Sequence, residues 1–249
     1  MITVASYNMR KAIGTDRLRR PERTLEVLCE IDADVVALQE ADRRLGKRAS
    51  AIPPEMLEGR SPYKAVPFDT RPDSIGWHGN ALLVKKDIEV VSSAGLPLPT
   101  LEPRGAVLAD LRVGNVPLRV VGMHLDLSGL WRRRQARAIL HALAERPGDP
   151  PTVLMGDLNE WSAHSGCLLE FAHAHRFAPT GRSFHARRPI VALDRIMVSR
   201  DVTVLACGTH HSLKSRRASD HLPIWARLAV AAGGSGTDDV GTGVRGAGG

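Results

Sequence analysis

The chain has 249 residues, 43% hydrophobic and 24% charged, a composition that excludes collagen-like, disordered and membrane-spanning classes. Thirty-four Lys and Arg against 27 Asp and Glu leave a formal charge of +7, and only six of the basic residues are lysines. An Arg-rich surface suits an anionic partner, while aromatic residues at 4% argue against a stacking platform for single-stranded nucleic acid. The N-terminus, Met1 to Asn8, reads directly as a strand. It has no basic start and no long apolar run, which leaves the cytoplasm as the expected location.

Pro21 to Asp32 places Leu25, Leu28 and Ile31 at helical spacing, with proline suited to the first turn. Asp34 to Leu38 reads as a buried strand ending in Gln39-Glu40, and Arg43 to Asp73 as loop. Asn80 to Val84 and Ile88 to Val91 are expected strands. Ala106 to Val113 and Val116 to Leu125 flank Gly114-Asn115, a strong hairpin signal. Trp131 to Glu145 is the second helix, stopped by Pro147-Gly148. Thr152 to Met155, Val191 to Val198, the neighbourhood of Leu205, and Pro223 to Val230 supply further strands. Hairpins mixed with helix crossovers point to mixed sheets. The chain divides into one domain, residues 1–230, and a tail, Ala231 to Gly249, that holds eight of the 23 glycines and is expected to be disordered. Cys29, Cys167 and Cys207 form neither a disulfide framework nor a thiolate zinc site and read as buried thiols.

Uncommon polar residues stand at the ends of apolar strands. Asn8 ends the first, Glu40 follows Val35 to Leu38, and His124 follows Val120 to Met123. Asp157 and Asn159 follow Thr152 to Gly156, Asp194 lies within Val191 to Val198, and Asp220-His221 precedes the last strand. Each alone reads as a cap or surface loop residue. Asp157 and Asn159, two apart, could face the same side.

The set in order strongly resembles the endonuclease/exonuclease/phosphatase superfamily, which includes deoxyribonuclease I, apurinic-site endonucleases, neutral sphingomyelinases and inositol polyphosphate 5-phosphatases. The matching blocks are Ser6-Tyr7-Asn8, Leu38-Gln39-Glu40, Gly79-Asn80, His124-Leu125, Gly156-Asp157-Leu158-Asn159, Leu193-Asp194-Arg195-Ile196 and Ser219-Asp220-His221. The overall pattern looks most like small bacterial members. The resemblance implies an α/β four-layer sandwich, two mixed sheets face to face with helices outside, and a site at one rim.

It further implies a phosphoesterase. Glu40, helped by Asn8 and Asp220, would hold Mg2+ or Mn2+, an oxygen set that suits such an ion. Asp157 would orient or deprotonate the attacking water, and Asn159 would hold a phosphoryl oxygen. His221, oriented and kept protonated by Asp194, would bond a phosphoryl oxygen or transfer a proton. His124 is a candidate for the leaving group or the phosphate. Arg104 and Asn80 are candidates for substrate contact, while His78 reads as a rim residue. The basic runs at Arg132 to Arg137, Arg187-Arg188 and Arg216-Arg217 read either as solvated faces or as a positive collar. A phosphodiester is favoured over a monoester, with nucleic acid, a phospholipid headgroup and inositol or nucleotide phosphates all open as substrates. The alternative is a non-catalytic protein that keeps the fold and binds a phosphorylated ligand.

Overall fold

The structure is a computed structural model, which describes residues 1–43, 49–68, 74–101, 104–163 and 166–230. The tail expected to be disordered lies outside the described residues, as do Glu102 and Pro103 and parts of the expected loop from Arg43 to Asp73. In chain order the elements are β1 (Ile2–Asn8), a single 3-10 turn (Arg10–Ala12), α1 (Pro21–Ile31), β2 (Val35–Gln39), α2 (Pro54–Arg60), β3 (Tyr63–Ala65), β4 (Ala81–Lys85), β5 (Glu89–Pro97), β6 (Gly105–Val113), β7 (Val116–His124), α3 (Gly129–Ala144), β8 (Thr152–Asp157), α4 (Cys167–Ala172), β9 (Arg176–Phe177), β10 (Asp194–Val198), β11 (Val202–Thr209), α5 (Ser215–Ala218) and β12 (Ile224–Val230).

The strands form two six-stranded sheets, ordered β11-β12-β1-β2-β4-β3 and β5-β6-β7-β8-β10-β9. Each sheet has one parallel pair at its centre, β1 with β2 and β7 with β8, and antiparallel pairs elsewhere. The parallel pairs need crossovers, which α1 and α3 supply. These four parallel strands all end where the polar residues stand, and the ends of parallel strands are where open α/β sheets place their ligands.

The layering follows from strand periodicity. Val4, Val35, Ala37, Val120, Val153 and Met155 face the core between the sheets. Their neighbours alternate outward: Ala5, Tyr7, Val36 and Leu38 pack under α1, and Val121, Met123 and Leu154 pack under α3 and α4. Both faces are therefore covered, which is why these strands read as continuous apolar runs. At Gly122 the sheets approach so closely that a Cβ would lie 3.1 to 3.3 Å from Leu82, Ala37 and Val107. The result is the α/β four-layer sandwich, helix, sheet, sheet, helix.

Several expectations are corrected. The Arg43 to Asp73 stretch contains α2 and β3. Proline at the first helical position starts α2, and three residues are too few for β3 to show a period. Helices α4 and α5 escape sequence reading because each has under two turns. The expected strand Val191 to Val198 begins only at Asp194, and β5 runs on to Pro97 rather than stopping at Val91. Of the three cysteines only Cys167 is buried; Cys29 is exposed on α1 and Cys207 partly so on β11. Among the described residues no helix is long and apolar enough to cross a membrane.

Candidate functional site

Backbone register aligns the second sheet's contribution. Gly105 on β6 pairs with His124 on β7, His124 with Asp157 on β8, and Asp157 with Asp194 on β10, so three strands present polar residues in one row beside Gly105. Gly156 makes the row possible. A Cβ there would sit 1.9 Å from the Met123 carbonyl oxygen, so only glycine lets β8 lie this close to β7 beside Asp157. From the first sheet, Asn8 ends β1 beside Gln39, and Glu40 follows β2 with a left-handed φ of 54°.

One oxygen is the hub. Asp157 Oδ2 accepts a hydrogen bond from Asn8 Nδ2 at 2.9 Å and lies 3.5 Å from His124 Nε2 and 3.8 Å from His221 Nε2. Asp157 is 1% exposed, and its other oxygen accepts the Asn159 N–H at 2.9 Å. That bond closes a tight turn with Asn159 at φ 50°, so the two residues do not continue a strand facing one side. The Asn159 side-chain amide donates to the Leu125 carbonyl.

His221 is held from behind. Its Nδ1 lies 2.9 Å from Asp194 Oδ2, which also accepts the Ser183 hydroxyl, and the Phe184 ring packs 4.9 Å from the imidazole. Burial would push the imidazolium down, but the Asp194 and Asp157 carboxylates outweigh it and raise His221 from 6.5 to about 10. Asp194 is fully buried, and among the described residues its Oδ1 has no hydrogen-bond partner. One ligand atom each from Asp157, Asp194 and His221 lie within 4.8 Å of one another, a possible acidic and histidine metal site.

A second set of oxygens gathers around the turn after β1. Asn8 Oδ1 accepts the Arg10 N–H at 3.1 Å, the Lys11 ammonium pairs with Glu40, and Arg10 Nε lies 3.2 Å from Asp220 Oδ2. Asn8 thus belongs to both sets. Its carbonyl also accepts the Ser219 hydroxyl at 2.7 Å, which ties β1 to the chain leading into Asp220.

The remaining candidates lie to one side. Arg104 is buried with its guanidinium against His124, Nη1 being 2.8 Å from Nδ1 and 2.6 Å from Nε2. Asn80 is fully buried and donates to the Gly105 carbonyl at 2.9 Å, while its Oδ1 has no partner among the described residues. Asn8 and Asn80 therefore both bridge from the first sheet to the second. His78 is exposed in the two-residue turn between Trp77 and Asn80, its ring 4.1 Å from that of Trp77.

Ser183, Phe184 and the Arg10-Lys11 pair were not among the sequence candidates. Ser183 and Phe184 lie in an irregular segment with no period to read, and their contacts to Asp194 and His221 arise only on folding. Arg10 and Lys11 follow the Ser6-Tyr7-Asn8 block with only Met9 between, and that proximity was a usable signal. The run after Trp131 is consumed structurally. Arg132 pairs in the interior with Glu160 at 3.1 Å, Arg133 and Arg137 share Glu170, and Arg134 covers the Trp131 ring.

The sequence pattern of the Endonuclease/Exonuclease/phosphatase family matches residues 5–221. The uncharacterized protein YbhP of Escherichia coli K12 is 27% identical over 164 residues, which cover 61% of this chain and 63% of YbhP. The chain thus spans less than two thirds of the length of that relative. An endonuclease/exonuclease/phosphatase structure from Bacteroides vulgatus superimposes with a TM-score of 0.73 at 19% identity, covering 92% of this chain and 98% of the other. The mannosyl-6-phosphatase Bt3783 of Bacteroides thetaiotaomicron VPI-5482 gives 0.72 at 20% identity, covering 92% and 100%. These two likenesses concern the fold, and the family match establishes membership: the chain belongs to the Endonuclease/Exonuclease/phosphatase family.

Proposed function

We propose that this member of the Endonuclease/Exonuclease/phosphatase family is a divalent-metal-dependent phosphoesterase that cleaves a phosphodiester by in-line attack of water. The observation that carries the reading is the convergence of Asn8, His124 and His221 on one buried carboxylate oxygen, Asp157 Oδ2.

Asp157 is the proton acceptor. Asn8 fixes Oδ2 in place while the Asn159 N–H occupies Oδ1, so the carboxylate cannot rotate, and Oδ2 takes a proton from water as its oxygen bonds to phosphorus. The bond from phosphorus to the leaving oxygen breaks on the far side. His221, kept protonated by Asp194, presents an Nε2–H that neutralises a phosphoryl oxygen or passes its proton to the leaving oxygen. Ser183 and Phe184 hold the Asp194–His221 pair in register. With one amide hydrogen on the Leu125 carbonyl, Asn159 would offer the second to a phosphoryl oxygen, and the Arg104 guanidinium against His124 would orient that ring toward the phosphate. Asn80 acts at one remove, holding the backbone beside Arg104.

The oxygen set of Asn8, Glu40 and Asp220 fits Mg2+ or Mn2+: all three are hard donors, and the Lys11 and Arg10 cations paired with Glu40 and Asp220 mark carboxylates that draw positive charge and would have to yield to the ion. Such an ion, when bound, supplies charge neutralisation at the phosphoryl and leaving oxygens. The Asp157, Asp194 and His221 group suits proton handling better, because its hydrogen bonds are internal and its imidazolium offsets its carboxylate charge.

The test is hydrolysis of bis(p-nitrophenyl) phosphate, supercoiled plasmid, an anionic phospholipid and an inositol phosphate, each with Mg2+, with Mn2+ and with chelator. Chelator-sensitive turnover of at least one supports the reading. Binding of these compounds without turnover would favour the non-catalytic alternative.

A further inference from the structure

Three arginines from two distant stretches of sequence line one pocket. Arg187, from the segment before β10, and Arg216 and Arg217, from α5, surround a cavity of about 520 Å³ together with Thr15 and Leu213. Its walls are tied together: Arg187 Nη2 donates to the Thr15 carbonyl at 3.2 Å, and the Thr15 N–H donates to the Arg217 carbonyl at 3.0 Å. The charge is uncompensated. Arg23 nearby is matched by Asp16, and the arginines at positions 132, 133 and 137 by Glu160 and Glu170. Among the described residues, none of the three pocket arginines has a carboxylate partner.

The pocket adjoins the site. Arg217 lies three residues before Asp220, at most about 10 Å along extended chain. Arg187 follows Ala186, whose N–H donates to the Asp220 carbonyl at 2.7 Å. Three exposed arginines around one pocket, with no carboxylate partner among the described residues, make a positive surface that favours an anion, and a guanidinium matches phosphate oxygens through bidentate hydrogen bonds.

We infer that this pocket is a second phosphate subsite, taking a phosphate of the substrate other than the one cleaved; the inference rests on the phosphoesterase reading. The ligand chemistry is a phosphate carried on the same molecule, either the next phosphate of a nucleic acid strand or a second phosphate on a small polyol.

The test compares the wild type, the triple variant R187Q/R216Q/R217Q and a control, R133Q/R134Q/R137Q, that removes the same charge from α3. The probes, with Mg2+, are bis(p-nitrophenyl) phosphate, a 5′-phosphorylated dinucleotide and an inositol bisphosphate. In the pocket variant KM rises about tenfold or more for a probe with two phosphates. Its kcat, and its KM for the single-phosphate probe, stay at wild-type values, and the control changes neither. Which two-phosphate probe responds identifies the source. Equal KM increases for one and two phosphates, an equal increase in the control, or no increase would overturn the subsite. If the wild type turns over no probe, the phosphoesterase reading fails on its own, and calorimetry with inorganic pyrophosphate decides the subsite. Binding weakened about tenfold in the pocket variant alone supports it, and unchanged binding overturns it. The single variant R187Q serves if the triple variant does not fold.

Discussion

At the turn end of the β6–β7 hairpin, Asp110 sits between two guanidinium groups, Arg119 Nε at 2.7 Å and Arg146 Nη1 at 3.2 Å, with the Ser92 hydroxyl at 2.9 Å. Burial would push its carboxyl up, but Arg119, Ser92 and Arg146 outweigh it and hold Asp110 below its ordinary 3.8. At the other end of the same hairpin, His124 faces Asp157, where the directly paired buried carboxylates of Asp157 and Asp194 share His221 and one oxygen of Asp194 has no hydrogen-bond partner among the described residues. Both ends bury charge. The Asp110 end sets a carboxylate between two opposite charges, which stabilises a fold. The Asp157 end leaves a buried carboxylate oxygen of Asp194 without a hydrogen-bond partner among the described residues, which costs stability and is a hallmark of sites kept for chemistry.

Asp157→Ala breaks the comparison most sharply. On this account it loses at least about a thousandfold in turnover of the responsive substrate, the scale of removing a proton acceptor that works as part of a unit. Asp194→Asn is the next largest, about a hundredfold in turnover. In the metal-free protein it also lowers the His221 pKa, since Asp194 is the foremost raising influence. An NMR titration of the imidazole reads that shift directly. Arg119→Ala is expected to leave kcat unchanged and to cost about 1–3 kcal/mol of stability, because it strips the half-buried Asp110 carboxylate of its closest partner. Denaturant unfolding measures it.

The two ends also respond to pH in opposite directions. His221 is raised in the fold, so its contribution to stability is complete below about 6.5 and is lost as pH rises through about 10. Asp110 is lowered in the fold, so its contribution is present above 3.8 and is lost as pH falls through its folded value. Stability curves of Asp194→Asn and Asp110→Asn in chelator, on the alkaline and acidic sides respectively, would each flatten relative to the wild type.

Much of the frame was legible because strands announce themselves. Gly114-Asn115 marked the β6–β7 hairpin to within a residue at each end, and apolar runs located β1, β2, β7 and β8 because both sheet faces are covered. The polar residues at the ends of those strands were legible for the same reason, since a buried strand that stops at Asn8, His124 or Asp157 leaves them at one rim. Elements of six residues or fewer outside any period, such as α4, β3 and α5, gave no pattern to read. Contacts made only on folding stayed hidden too. No local signal in the sequence joins Ser183 to Asp194, sets Lys11 on Glu40, or brings Arg187 to the same pocket as Arg216 and Arg217.

The most direct measurement sets Asp157→Ala beside Arg119→Ala, recording turnover in Mg2+ and unfolding free energy for both. The account predicts a double dissociation: Asp157→Ala loses turnover while keeping wild-type stability to within about 1 kcal/mol, and Arg119→Ala loses stability while keeping turnover. Wild-type turnover in Asp157→Ala, with the wild type itself active and chelator-sensitive, would contradict it.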